Sequence, residues 1–189
     1  MSETNNDKPV IGITMGDPAG IGPEVVVKAL ADPAVRRQGR FVIYGMNELL
    51  SYAADVAGID PFWWRLRHRS PRAEYDLVHD VVVLDFDEFS LLGQTVHEPS
   101  KSGGEASLAF LNTAIEAAKR PVGAPGHLDA IVTGPICKRS WHMAGERRYP
   151  GHTELLKAKM QSKRSVMMFE STKLRVALAT VHVALMDIR

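Results

Sequence analysis

The sequence predicts an α/β domain built on a mainly parallel sheet. Three observations carry this prediction. Short apolar runs rich in β-branched residues recur along the chain, at 9–14 (PVIGIT), 41–44 (FVIY), 78–84 (VHDVVVL) and 129–133 (DAIVT). Segments with apolar residues at helical spacing separate them. Clusters of Gly and Pro, as at 15–23 and 121–127, punctuate the joins.

In chain order, Pro9 to Thr14 reads as a buried first strand. The turn-rich segment Met15 to Gly22 follows, and Pro23 and Glu24 suit the first turn of a helix that continues through Val25 to Leu30. Phe41 to Tyr44 is a second strand and Met46 to Ala57 a second helix. Val78 to Leu84 is a third strand. Ser102-Gly103-Gly104-Glu105 has capping-box spacing, and Leu108, Leu111, Ile115 and Ala118 repeat at helical intervals, so a helix is expected from about Gly104 to Lys119. Asp129 to Thr133 is a fourth buried strand, and Ile136 to Ala144 a short helix closed by Gly145. Thr153 is placed to cap a helix through Met160. Ser165 to Phe169 and Leu174 to Thr180 read as two further strands.

Composition narrows the function classes. The chain has 189 residues, 45% hydrophobic and 24% charged, the balance of an ordinary globular protein. With 23 Lys+Arg against 22 Asp+Glu, the net charge of +1 gives no indication of nucleic acid or an anionic membrane as partner. The single cysteine, Cys137, excludes an intrachain disulfide framework and a multi-Cys zinc site within one copy. No apolar run approaches the roughly 20 residues that span a bilayer. Residues 1–8 are polar and read as a disordered tail without the apolar core of a secretory signal, so a cytoplasmic protein is expected.

Several segments are candidates for chemistry. The turn from Gly16 to Gly22 is either a ligand loop at a helix N-terminus or a tight β-to-α connection; it matches neither a dinucleotide fingerprint nor a P-loop. His152 and Thr153, after Gly151, stand where a helix begins and where an imidazole and a hydroxyl can meet a phosphate or carboxylate. His182 ends the apolar run 176–181, the position at which sheet strands meet ligands. Lys138 enters a helix after Thr133-Gly134-Pro135, and Arg147-Arg148 precede the His152 turn; each either meets an anion or faces water. The cluster Arg65 to Arg72 is read as a solvated face. His68, His79, His97, His127 and His142 lack ligand spacing and are read as surface residues, and Cys137 as an inert thiol.

Taken in order, residues 13–24 (ITMGDPAGIGPE), 133–135 with Lys138, 149–154 (YPGHTE) and 179–182 (ATVH) closely resemble the 4-hydroxythreonine-4-phosphate dehydrogenase family of vitamin B6 biosynthesis. They equally resemble that family's relatives acting on 4-phospho-D-threonate and 4-phospho-D-erythronate. The resemblance covers the chain beyond its tail, and departs from the family pattern at Cys137 and at Trp141-His142-Met143. It implies the layered α/β/α fold of isocitrate and isopropylmalate dehydrogenases, with a first lobe over 9–132 and an incomplete second lobe over 133–189.

The resemblance further implies His152 and Thr153 as substrate-binding residues and His182 as one of three histidine ligands to a divalent metal (Zn, Mg or Co). The other two histidines, and most phosphate and nucleotide contacts, would lie in the second part of the family's chain. Lys138 falls on a lysine near the family's site, without a definite role. The implied activity is metal-dependent oxidation by NAD or NADP, with decarboxylation, of 4-phosphooxy-L-threonine. The alternatives are the threonate and erythronate phosphates as substrates, or a non-catalytic fragment. The implied partners are a small phosphorylated hydroxy acid and a second copy sharing the active site, with no nucleic acid and no membrane.

Overall fold

The structure is a computed structural model that describes residues 8–70, 79–89, 97–181 and 183–187. Residues 1–7 of the expected tail, Val78 of the expected third strand, and His182 lie outside the described residues. The chain divides into two compact units, 1–150 and 151–189.

The first unit is a parallel sheet with helical crossovers. Strands β1 (Val10–Thr14), β2 (Arg40–Gly45), β3 (Trp64–Arg67), β4 (Val81–Asp85) and β5 (Ala130–Thr133) lie in the order β3-β4-β2-β1-β5, and every pairing is parallel. Parallel strands need crossovers, supplied by α1 (Gly22–Ala31), the short α2 (Pro33–Arg36), α3 (Asn47–Ala57) and α4 (Lys101–Ala118), before α5 (Lys138–Met143) closes the unit. The central strands explain their own sequences: Phe41 to Tyr44 and Val81 to Leu84 are buried throughout, because helices cover both faces. Among the described residues no helix is long and apolar enough to cross a membrane.

The sequence reading missed α2 and β3. Trp64 to Arg67 shows no apolar run because β3 is an edge strand whose arginines pair with acids of the neighbouring strand and its following turn. Arg65 Nε lies 2.6 Å from Asp85 Oδ2, Arg67 Nε 3.0 Å from Asp87 Oδ2, and Arg69 Nη2 3.3 Å from Glu88 Oε1. Asp85 is buried, and its Oδ1 accepts the Asn47 N–H at 2.8 Å. That carboxylate does the work of a cap for α3, which has no side-chain cap of its own. Two of the histidines read as surface residues are largely covered. His68 stacks on Phe86 with ring centroids 3.9 Å apart, and the His127 side chain is 13% exposed.

The cap of α4 is Ser100, whose Oγ accepts the Gly103 N–H at 3.0 Å, not Ser102. Both serines fit a helix start on spacing alone. Tertiary contact decides between them, because the Ser100 N–H also donates to Ser140 Oγ at 3.2 Å and pins Ser100 outside the helix.

The second unit holds α6 (His152–Lys159), the antiparallel hairpin of β6 (Met168–Glu170) and β7 (Arg175–Ala177), and a 3-10 turn at Leu185–Asp187. Its hairpin strands are shorter than the runs 165–169 and 174–180 suggested.

Candidate functional site

Open parallel sheets bind ligands at the carboxyl ends of their strands. At that edge of the first unit, two of the segments singled out by sequence are joined. β1 runs into the Gly16–Gly22 turn and β5 into residues 134–137, and the two are tied by Asp17 N–H to Pro135 O at 2.9 Å and Gly134 N–H to Thr14 O at 2.7 Å. Gly16 has φ 83°, and a Cβ there would overlap the Pro135 carbonyl oxygen. Left-handed backbone and close approach therefore both require glycine at this position.

A phosphate cradle needs several backbone N–H groups turned toward the ligand. In this turn the N–H groups of Asp17, Ala19 and Gly20 are bonded within the protein, to Pro135 O, Asp17 Oδ1 and Asp17 O, each at 2.9 Å. Residues 15–19 are buried. Of the two readings of this segment, the structure shows the tight β-to-α connection. Asp17 is its keystone: the carboxylate is buried, Oδ1 lies beside Gly103 in the first turn of α4, and Oδ2 has no hydrogen-bond partner among the described residues. Nothing in the spacing singled Asp17 out, because its role depends on α4 arriving next to it.

The loop 134–137 is held from its far side by α5. Gly104 in α4 has no Cβ to keep the Ser140 carbonyl oxygen away, so the two helices touch backbone to backbone. Trp141, 1% exposed, donates from Nε1 to Ser107 Oγ at 2.9 Å, and Ser107 Oγ donates to Gly104 O at 3.1 Å. Lys138 and Arg139 stand exposed on the outer side of α5, and Cys137 is half-buried before it.

In the second unit, Gly151 precedes α6 and His152 is its first residue. No side chain caps this helix; Thr153 sits inside the first turn and is exposed, which corrects its expected role as the cap. Gly151 is fully extended (φ −177°) and takes the cap position, so the helix begins two residues earlier than a Thr153 cap would allow. His152 and Thr153 are thus the first two residues of the helix, where His152 was expected just before it.

Burial lowers the pKa of His152 below the ordinary histidine value near 6.5, since desolvation disfavours the imidazolium. At neutral pH the ring is then neutral, with one nitrogen to donate and one to accept. Because the folded chain binds this proton less tightly than the unfolded chain, the contribution of His152 to stability is lost as pH falls below about 6.5. An NMR titration of the histidine ring protons is expected to give His152 a midpoint below the ordinary histidine value near 6.5; a midpoint at or above it would remove the burial argument.

His182 lies outside the described residues. Among the described residues no three His, Cys, Asp or Glu side chains converge on a point that suits a metal ion.

Sheet order, crossovers and gathered loops define an α/β protein of the open parallel-sheet class. The chain belongs to the PdxA family: the family described as pyridoxal phosphate biosynthetic protein PdxA matches residues 37–189. A 4-hydroxythreonine-4-phosphate dehydrogenase from Trichlorobacter lovleyi is 38% identical over 184 residues, covering 96% of this chain and 52% of the relative. A D-threonate 4-phosphate dehydrogenase from Cupriavidus necator is 34% identical over 181 residues, covering 95% and 51%. The crystal structure of a 4-hydroxythreonine-4-phosphate dehydrogenase from Burkholderia phymatum superimposes with a TM-score of 0.79 at 33% identity, covering 96% of this chain and 52% of that one. The chain thus spans about half the length of the curated relatives it matches.

Proposed function

We propose that the protein to which these residues belong is an NAD(P)-dependent oxidoreductase that oxidises and decarboxylates 4-phosphooxy-L-threonine in the synthesis of pyridoxal 5′-phosphate. The observation that supports this most is the family match over 37–189 together with His152 and Thr153 side by side at the start of α6. In this reading the neutral His152 imidazole and the Thr153 hydroxyl hold the substrate by hydrogen bonds. The first turn of α6 adds a field that favours the substrate's negative groups. The bound nicotinamide supplies the hydride acceptor. Three N–H groups of the glycine turn are bonded to the 134–137 loop or within the turn, and among the described residues no three His, Cys, Asp or Glu side chains converge.

The same proposal includes the isocitrate dehydrogenase-like fold, with 133–189 belonging to a second lobe. It also includes His182 as a metal ligand and a cytoplasmic homodimer with a shared site. A second reading, oxidation of D-threonate 4-phosphate or the erythronate analogue, is favoured by the Cupriavidus necator relative.

The test is NAD(P)H formation by a chain of the relatives' full length, followed spectrophotometrically with each phosphorylated acid in turn. Turnover of 4-phosphooxy-L-threonine with the higher kcat/KM is expected. A higher kcat/KM for the threonate phosphate moves the assignment to the second reading, and reduction with neither would sink both.

A further inference from the structure

The near-zero net charge hides an uneven distribution. Within the first unit, residues 1–137 carry twelve Lys/Arg against eighteen Asp/Glu, whereas residues 138–150 carry four against one. The four cations of the second group, Lys138, Arg139, Arg147 and Arg148, are all exposed. None of them makes a side-chain hydrogen bond or an ion pair among the described residues. Several exposed cations elsewhere in the unit are paired, as in Lys28–Glu24, Arg65–Asp85, Lys101–Glu105 and Lys119–Glu116. Glu146, the one acid of the group, is turned the other way: its Oε1 accepts the N–H groups of Arg148 and Tyr149 at 2.8 and 3.2 Å. Among the described residues Glu146 forms no ion pair with the guanidinium groups, and that of Arg148 lies over the Tyr149 ring, 5.5 Å from its centroid.

Lys138 and Arg139 open α5, and Arg147 and Arg148 follow its end. α5 has six residues, so it is about 9 Å long. After it the chain doubles back, with Gly145 N–H donating to His142 O and Glu146 N–H to Trp141 O. The group follows β5 directly, beyond the loop 134–137 that is bonded to the glycine turn at the carboxyl edge of the sheet.

We propose that Lys138, Arg139, Arg147 and Arg148 form an electrostatic landing surface for a phosphate monoester approaching that edge of the sheet. The inference rests on the reading of the substrate as a phosphate ester. A small dianion fits better than an extended polyanion, because the cationic face is short and the rest of the unit is net negative and repels a long chain of phosphates. The surface acts on encounter: exposed charges are screened within about 10 Å at 0.1 M salt, so its effect belongs to low ionic strength. It gives Lys138 a role in approach, where it touches no reacting atom.

The test uses the 189-residue chain and amide NMR shifts, with glycerol 2-phosphate as probe and glycerol as control. At about 20 mM ionic strength the phosphate is expected to move resonances of residues 138–149, and glycerol is not. Raising the salt to about 0.5 M, where screening is within a few ångströms, is expected to weaken the apparent affinity at least tenfold. The triple variant R139Q/R147Q/R148Q should lose the response and R139K/R147K/R148K should keep it. Shifts confined to other residues, shifts indifferent to salt, or a full response in the glutamine variant would each overturn the proposal. Tighter binding of a duplex DNA oligonucleotide that grows with its length would overturn it in favour of a polyanion. If the shifts behave as expected while the full-length chain reduces no NAD(P), the proposed activity fails and the anion surface stands.

Discussion

Replacing Trp141 by alanine is expected to lower the free energy of unfolding by about 3–5 kcal/mol, the usual cost of emptying a buried tryptophan site. The ring is among the largest fully buried side chains of the protein and joins α5 to α4. Its loss leaves a cavity and removes the donor to Ser107 Oγ, while the backbone contact of Ser140 with Gly104 loses its support. Against a typical total stability of 5–15 kcal/mol this is a large fraction. Trp141→Phe keeps an aromatic ring but loses the N–H and part of the bicyclic volume, so a smaller loss of about 1–2 kcal/mol is expected. Urea unfolding checks both, through the midpoint at unchanged slope. An alanine variant within about 1 kcal/mol of the parent would show that α5 does not depend on this contact.

The second large effect concerns His182. In a chain of the relatives' full length, His182→Ala is expected to weaken divalent-metal affinity, measured by calorimetry, by more than the roughly 10–100-fold that loss of a merely supporting partner causes. Metal-dependent NAD(P) reduction should fall with it. The reason is that a catalytic site built on three protein ligands cannot hold its ion well on two. Unchanged metal affinity with unchanged reduction would remove His182 from the metal site, and it would leave the oxidoreductase reading to stand on His152 and Thr153 alone.

Much of the fold was legible because its signals are local. Val81 to Leu84 and Phe41 to Tyr44 are apolar on successive residues, a pattern that suits strands buried on both faces, and they form β4 and β2. Pro23 and Glu24 announce α1, and Gly145, at φ 93°, closes the turn after α5. The misses have a common cause. β3 is polar because it is an edge strand whose arginines answer acids beside it, and that pairing exists only once β4 is in place. His68 looks like a surface histidine until Phe86 comes under it.

The candidate site divides in the same way. Its parts were readable one by one: a glycine turn, a strand end leading to Lys138, and a histidine and threonine after Gly151. The sequence could not choose between a ligand loop and a packed connection at Gly16–Gly22, since both need glycine. The choice came from Pro135 and Asp17, which take up the turn's N–H groups across more than a hundred residues or from within the turn itself.

By itself, then, the amino-acid order determined the run of strands and helices apart from α2 and β3, the parallel class of the sheet, and the family to which the chain belongs. These follow from short-range apolar patterning and from motifs that are contiguous in the chain. Only the tertiary structure decided that Ser100 rather than Ser102 caps α4, that Trp141 clamps α5, and that the glycine turn is closed upon itself. It also decided that Lys138, Arg139, Arg147 and Arg148 form no ion pair among the described residues, in a chain whose total charge is nearly zero. Each of those outcomes depends on which groups meet across the fold, and a hydrogen bond or an ion pair between distant residues leaves no periodic trace in the sequence.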